Sequence, residues 1–335
     1  LVVVLVVVLV VVLVVVLVVV LVVVLVVVLA ACPLLSLVLL ALLGCGDPSA
    51  PSRPSGSPPV VVASNHPLAF FVERLAGDRV EVRLPVPAGV DPETWRPTGD
   101  DVAEMSEADL VVLNGAGYES WLDTASLPAD RVLDSSSGFR DRYLPGEGGV
   151  HSHGPGGEHS HAGTATHTWL DPDLAILQAQ AILERLSSII PAEQDAMQSN
   201  FGVLRRELLA RSAGLEQAVN ARSTTPVVFS HPVYQYLQRR YRMNGAAVDW
   251  APDVTPDEAD IAELDDLVAG QPTKWFVWTS EPSPANRALL EARGIESVVF
   301  DPAGARPADG NYLDVLDRNV EAVRRIYGVE PDSDG

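Results

Sequence analysis

The sequence predicts an α/β protein of two lobes, each on a mainly parallel sheet, joined by one long rigid helix. Two observations carry that expectation. Short apolar strands alternate with amphipathic helical segments on both sides of residue 191, a pattern that calls for parallel sheets covered on both faces. Between the two runs, residues 192–221 contain no proline and can form a single helix of about 30 residues, ~45 Å at 1.5 Å per residue. That is long enough to serve as a spine between lobes.

The elements follow in order. Residues 1–44 read as an apolar leader, a near-perfect LVVV repeat over residues 1–30 followed by ACPLLSLVLLALLG. The run ends in Leu42-Leu43-Gly44-Cys45 before a Gly/Asp/Pro/Ser stretch, the local form of a lipid-attachment signal, so Cys45 is the expected lipid site and the protein is expected outside the cytoplasm, anchored at a membrane. The apolar run exceeds the ~7–15 residues of a signal core and reaches the ~20 that span a bilayer, which leaves a retained membrane helix as the alternative. The absence of an initiator Met and of an N-terminal Lys or Arg leaves open a start inside the repeat. Residues 45–58, rich in Pro, Ser and Gly, cannot form a core and read as a tether. Cys32 lies in the leader, so cleavage before Cys45 leaves one thiol and no intrachain disulfide.

An N-terminal lobe is expected over residues 59–190. Strands are read at 59–64, 79–84 and 108–115, with a short helix at 68–76. Asp171 followed by Pro172 marks a helix entry, a capping acid before a first-turn proline, and Pro191 interrupts that helix. After the linking helix, set at residues 191–222 as a segment, the pattern repeats over 223–330: strands at 225–230, 274–278 and 296–300, and helices at 234–241, 257–268, 284–293 and 315–327. The chain carries 23 Lys and Arg against 44 Asp and Glu, a formal charge of −21. That balance argues against nucleic acid, which demands a basic footprint, and suits a surface that handles cations.

Histidine is scarce and clustered. Of 7, four fall in HSHGPGGEHSH, a loop at 151–161 carrying His151, His153, His159 and His161; the others are His66, His167 and His231. Embedded in glycine, the cluster is not expected to be fixed by helix or strand, and short histidine-rich tracts bind zinc, copper or nickel; a passive solvated loop is the alternative. His231 and Asp301 each follow an apolar strand, where open α/β sheets place ligand-binding residues. Taken alone, Asp301-Pro302 reads equally as a turn opener.

The segments VDPETWRP, ADLVVLNGAGYESWLD, THTWLDP, SHPVYQYLQRRY, WTSEPSP and SVVFDP, in that order, resemble the zinc/manganese substrate-binding lipoproteins of bacterial ABC uptake transporters. The resemblance covers residues 60–327. It implies two α/β lobes linked by a long helix, with one divalent cation held in the cleft between them. It places the ligands on Glu93, His167, His231 and Asp301, with Glu93 standing where the family usually has histidine. Two imidazoles and two oxygens suit tetrahedral Zn²⁺ or, with water or bidentate contacts, Mn²⁺. Alternatively His66 or a loop histidine supplies the missing imidazole, or water completes a site of three residues. Glu281 belongs to a recurrent family segment and is expected to fix a loop or to orient a ligand histidine through its second nitrogen. The implied function is extracytoplasmic capture of Zn²⁺, with Mn²⁺ as the rival ion, and delivery by a monomer to an ABC permease. An enzyme is the second class, opposed by the lack of an HExxH or GxSxG segment. Surface adhesion or scaffolding is the third. The aromatics are assigned to lobe packing and the dry wall of the cleft rather than to a sugar site.

Overall fold

The computed structural model describes residues 56–146, 150–152, 158–160 and 163–329, together with residues 16 and 18–22. Cys45, most of the leader, residues 45–55 of the tether, His153 and His161 lie outside the described residues. The chain divides into residues 1–57 and residues 58–335. Among the described residues no helix is long and apolar enough to cross a membrane.

The first sheet of residues 58–335 has the order β2-β1-β3-β4, all parallel. Its strands are β1 (Val60–Ala63), β2 (Glu81–Arg83), β3 (Leu110–Leu113) and β4 (Val132–Asp134), with α1 (His66–Ala76) and α2 (Gly99–Glu107) in the first two crossovers. Beyond β4, a short antiparallel pair, β5 (Val150–Ser152) and β6 (Glu158–Ser160), sets His151 opposite His159. The sequence expected no regular structure in this loop. Its ends are nonetheless closed by a bridge between Pro145 and Thr164 and a bond from Gly146 N to Gly163 O (2.8 Å), which favours pairing inward from the stem. Helices α3 (Pro172–Ile189) and α4 (Gln194–Ala221) follow, separated by a 3₁₀ turn at Pro191–Glu193, so the long helix starts two residues later than the sequence suggested.

The second sheet, order β10-β9-β7-β8, is also entirely parallel. In chain order it runs β7 (Pro226–Phe229), α5 (Gln235–Tyr241), β8 (Asn244–Ala247), α6 (Glu258–Gly270), β9 (Trp275–Trp278), α7 (Pro284–Glu291), β10 (Glu296–Val299) and the closing α8 (Tyr312–Tyr327). In the two large sheets, the strands that sequence reading missed are β4 and β8, each at an edge. Asn-Gly-Ala-Ala has little β propensity, yet at Gly245 any Cβ would stand 2.4 Å from the Phe229 ring, so the close approach of β8 to β7 requires glycine. Helix α2 was missed as well, although its capping box of Thr98 and Asp101 is legible as T-x-x-D.

Strand alternation divides the core. Val61, Ala63, Leu110 and Val112 of the first sheet and Val227, Phe229, Val277 and Val298 of the second join one apolar cluster that includes Leu204, Leu208, Leu215 and Val219 of α4. The opposite faces bury Val60, Val62, Val111 and Leu113 against Trp95 and Trp121, and Val228, Phe276 and Trp278 against Trp250 and Leu264. Both faces of both sheets are covered, as parallel sheets require. Helix α4, ~42 Å long for its 28 residues, is tied to each lobe: Glu207 to Arg74 of α1 (2.7 Å), Ser212 to Tyr241 of α5 (3.0 Å) and Arg211 to Asp317 of α8 (2.7 Å). Further bonds cross the seam directly. Trp169 Nε1 donates to Pro302 O (2.7 Å), His66 N to Gly304 O (2.8 Å), and Arg239 lies 3.2 Å from Asp171.

The turn after β3 leaves no room for a side chain at Gly115. Gly115 has φ +77°, and a Cβ there would sit 2.0 Å from Asp134 Oδ1. Gly115→Ala combines left-handed strain with a steric clash, and chemical denaturation should show a loss of about 2–3 kcal/mol.

Candidate metal site

In an open parallel sheet the ligand crevice forms where successive connections leave in opposite directions. In the second lobe that point lies between β7 and β9, so the residues that follow them, His231 after β7 and Thr279-Ser280 after β9, reach the lobe surface together. A cavity of about 400 Å³ opens there, walled on one side by residues 89–94 and His167 and on the other by His231, Thr279, Ser280 and Asp301. Glu93, His167, His231 and Asp301 thus share one cavity between the lobes. A larger cavity of about 690 Å³ lies beside it on the first lobe, shares Glu93 and Thr94 and is also lined by Thr166, but no histidine is among its described lining residues. The smaller cavity has the imidazoles that a transition metal needs.

Glu93 and His167 both come from loops. Asp91 Oδ1 accepts the Glu93 N–H (3.0 Å) and fixes the turn that presents Glu93. Thr166 Oγ1 donates to Glu93 Oε1 (2.6 Å) and also lies 3.0 Å from His167 Nδ1. A hydroxyl has one proton; with that proton on Glu93, the oxygen accepts from Nδ1–H, leaving Nε2 of His167 unprotonated and able to bind a cation. Glu93 Oε2 lies 3.9 Å from His167 Nδ1. The imidazole is 5% exposed, with Tyr118 edge-on at 5.6 Å and Trp169 at 4.8 Å. Burial lowers its pKa to about 4, against a smaller upward pull from Asp91, so the ring is neutral at ordinary pH.

Across the cavity, His231 Nε2 stands 3.3 Å from Asp249 Oδ1. Asp249 follows β8, the neighbour of β7, so both side chains stand at the carboxyl ends of adjacent strands. Asp301 is held through Oδ1 by the Ala303 N–H (2.7 Å), and its own backbone is clasped by Asn319 (3.0 and 2.8 Å). Burial raises the pKa of its carboxyl, while the Ala303 N–H and Arg318 oppose that shift.

The other sequence candidates are placed elsewhere. His66 opens α1 and is 2% exposed, its ring against Phe70 (6.5 Å) and Tyr312 (6.3 Å), and it is not part of the cavity wall. Burial, then Arg306, lowers its pKa to about 4. Glu281 pairs with Arg287 at the surface, with its side chain 73% exposed. His151 and His159 lie on the β5–β6 pair. Among the described residues no three His, Cys, Asp or Glu side chains stand close enough together to hold an ion. The cavity instead has a Glu93–His167 pair on one wall and His231 on the other, with Asp249 beside His231 but outside the lining residues. Sequence reading missed Asp249, Thr166 and Asp91; Asp91 and Thr166 lie beside residues singled out, but nothing in the sequence marks them.

A buried polar layer supports the first wall. Asn114, at the end of β3, holds Thr166 O through Nδ2 (2.9 Å), and its Oδ1 accepts from Thr168 Oγ1 (3.0 Å) and Gln178 Nε2 (2.9 Å), which fixes the backbone on both sides of His167. Glu119, 4% exposed, accepts from Ser64 Oγ (2.5 Å), Asn114 N (2.6 Å) and Gly115 N (3.1 Å). Burial raises its pKa to about 7 against the pull of those donors.

Thr166→Val removes the hydroxyl between Glu93 and His167 at nearly constant volume. Metal affinity by titration should fall about 10–100-fold while the unfolding midpoint barely changes. For Glu119, a folded pKa above the unfolded value means its contribution to stability is present at low pH and is lost as pH rises from about 4.5 towards 7. Denaturation of wild type and Glu119→Gln at several pH values should show the difference moving in favour of the variant across that window.

The chain matches the family model described as ZnuA, zinc-uptake complex component A, periplasmic, over residues 61–326. It is 25% identical over 311 residues to the zinc-binding lipoprotein AdcA of Streptococcus pneumoniae, covering 89% of this chain and 60% of that protein. It therefore spans about three fifths of that relative's length. It is 23% identical to the high-affinity zinc uptake system protein ZnuA of Bacillus subtilis, covering 87% and 95%, and 26% identical to the manganese ABC transporter substrate-binding lipoprotein PsaA of Streptococcus pneumoniae, covering 64% and 69%. The crystal structure of Zn(II)-bound AdcA shares the fold at a TM-score of 0.69 and 21% identity, covering 83% of this chain and 60% of that one. With the family model matched across nearly all of the second unit, the chain belongs to the ZnuA family of periplasmic zinc-uptake components.

Proposed function

We propose that the protein captures a divalent transition metal outside the cytoplasm, most simply Zn²⁺, and delivers it as a monomer to an ABC permease without a chemical step. One observation carries this reading: Glu93, His167, His231 and Asp301, distant in sequence, line a single cavity between the lobes. The names of relatives that bind zinc or belong to zinc uptake support it. In this reading residues 1–44 are the leader, Cys45 carries the lipid and residues 45–58 tether lobes at 59–190 and 223–330, joined by the 191–222 segment. The lipid holds the protein at the membrane near its permease. His151, His153, His159 and His161 serve as accessory, weaker ligands, because an ordering cost falls on the loop when it binds.

Mn²⁺ is the second ion to consider, and the donor set favours keeping it. Asp91, Glu93 and Asp301 bring three carboxylates to a cavity with two imidazoles, and hard oxygen donors suit manganese. Competitive titration of metal-stripped protein with Zn²⁺ and Mn²⁺ tests the reading. Binding of one ion per chain is expected, weakened at least about 10-fold in Glu93→Gln, whereas Glu93→His should bind and shift preference towards Zn²⁺. Absence of binding to either ion rejects the function; an unchanged Glu93→Gln removes Glu93 from the ligand set.

A further inference from the structure

Within the cleft reading just proposed, His231 of the second wall is paired with a carboxylate that neither the sequence motifs nor the four-residue set includes. His231 Nδ1 and Asp249 Oδ2 are buried, and Nε2 and Oδ1 are the atoms that the two side chains turn towards each other. These two atoms lie 3.3 Å apart. Two donors bound at 2.0–2.1 Å to one tetrahedral Zn²⁺ are separated by about 3.3–3.4 Å, so the pair has the spacing of one edge of a coordination tetrahedron. The wall is formed by His231 itself, but the Asp249 side chain is about as accessible as that of Glu93, 12% against 15%. Asp249 also sits at the carboxyl end of β8, beside the β7 end that presents His231.

We infer that Asp249 is a ligand of the cleft ion through Oδ1, adjacent to His231 Nε2. The site is then built from two half-sites, Glu93 with His167 and Asp249 with His231, with Asp301 as a further oxygen at the rim. Each half-site belongs to one lobe and holds two donors, which accounts for the lack of any three-donor group among the described residues. An added carboxylate gives the ion a harder environment than two imidazoles and two oxygens provide, and Mn²⁺ gains more from it than Zn²⁺ does.

The test compares Asp249→Ala, Asp249→Asn, His231→Ala and the double variant Asp249→Ala with His231→Ala in the full chain, each titrated with Zn²⁺ and with Mn²⁺. A direct oxygen ligand predicts that Asp249→Ala weakens Mn²⁺ about 100-fold and Zn²⁺ only about 10-fold, while His231→Ala weakens Zn²⁺ more than Mn²⁺. Asp249→Asn, which keeps an oxygen but loses its charge, should fall between wild type and Asp249→Ala, and it should alter the visible absorption of the Co²⁺-loaded protein. It also serves if the alanine variant does not fold. An Asp249→Ala loss weighted towards Zn²⁺ and absent in the His231→Ala background overturns the inference, because Asp249 then acts only by holding the imidazole. Wild-type affinities in both Asp249 variants, or an unchanged Co²⁺ spectrum, also overturn it while leaving the cleft reading intact. Unchanged affinity in His231→Ala overturns both.

Discussion

Everything at the cleft depends on the packing of α4 against both lobes at once. Leu204, Leu208, Leu215 and Val219 belong to the same apolar cluster as the inward faces of both sheets. A flexible linker would leave each sheet to bury its own inner face. Here the inner faces are completed by a common helix, and the position of one lobe's strand ends relative to the other's is set by dense side-chain packing. The polar ties of Glu207, Arg211 and Ser212 add direction to that packing, and because most are partly exposed they contribute little energy beside it.

The cleft concentrates groups that are costly to bury. His167 remains neutral through burial, and Asp301 is shifted towards neutrality by the same cause. A divalent cation reverses that economy: it favours deprotonated carboxylates and neutral imidazoles together. Burial that prepares the imidazole therefore also gives the carboxylates a reason to prefer a bound cation over solvent-poor isolation. The ordered Asx turn at Asp301 and the Thr166 bridge at Glu93 limit how far these donors must reorganise.

The legible parts of the sequence were those fixed by periodicity. Buried strands such as LVVL and WFVW and the proline-free run ending at Ala221 announce themselves, because their burial on both faces or their length leaves few alternatives. Two of the four sheet edges were hidden, whereas β2 and β10 were read: β4 is half-buried, and β8 owes its place to the Phe229 ring rather than to its own residues. In the site, His231 and Asp301 were visible from their positions after strands. Glu93 and His167 came from family resemblance, since loop residues carry no periodic signal. Asp249 was silent for a different reason: its role rests on the pairing of β8 with β7, a contact that exists only in three dimensions. Glu281, expected to fix a loop or to orient a ligand histidine, pairs with Arg287 at the surface, and the carboxylate beside His231 is Asp249.

The seam bonds of Trp169 and His66 have a mechanical meaning. Pro302 and Gly304, which receive them, lie immediately after Asp301. Asp301 is thus a residue of the second lobe by chain order and is fastened to the first by attachment. Swinging the lobes apart as rigid bodies would strain that fastening, and Tyr234, after β7, is bonded to Phe300 just before Asp301 (2.6 Å). The first lobe and the Asp301 loop thus form one bonded wall of the cleft, and opening the lobes as rigid bodies must break it.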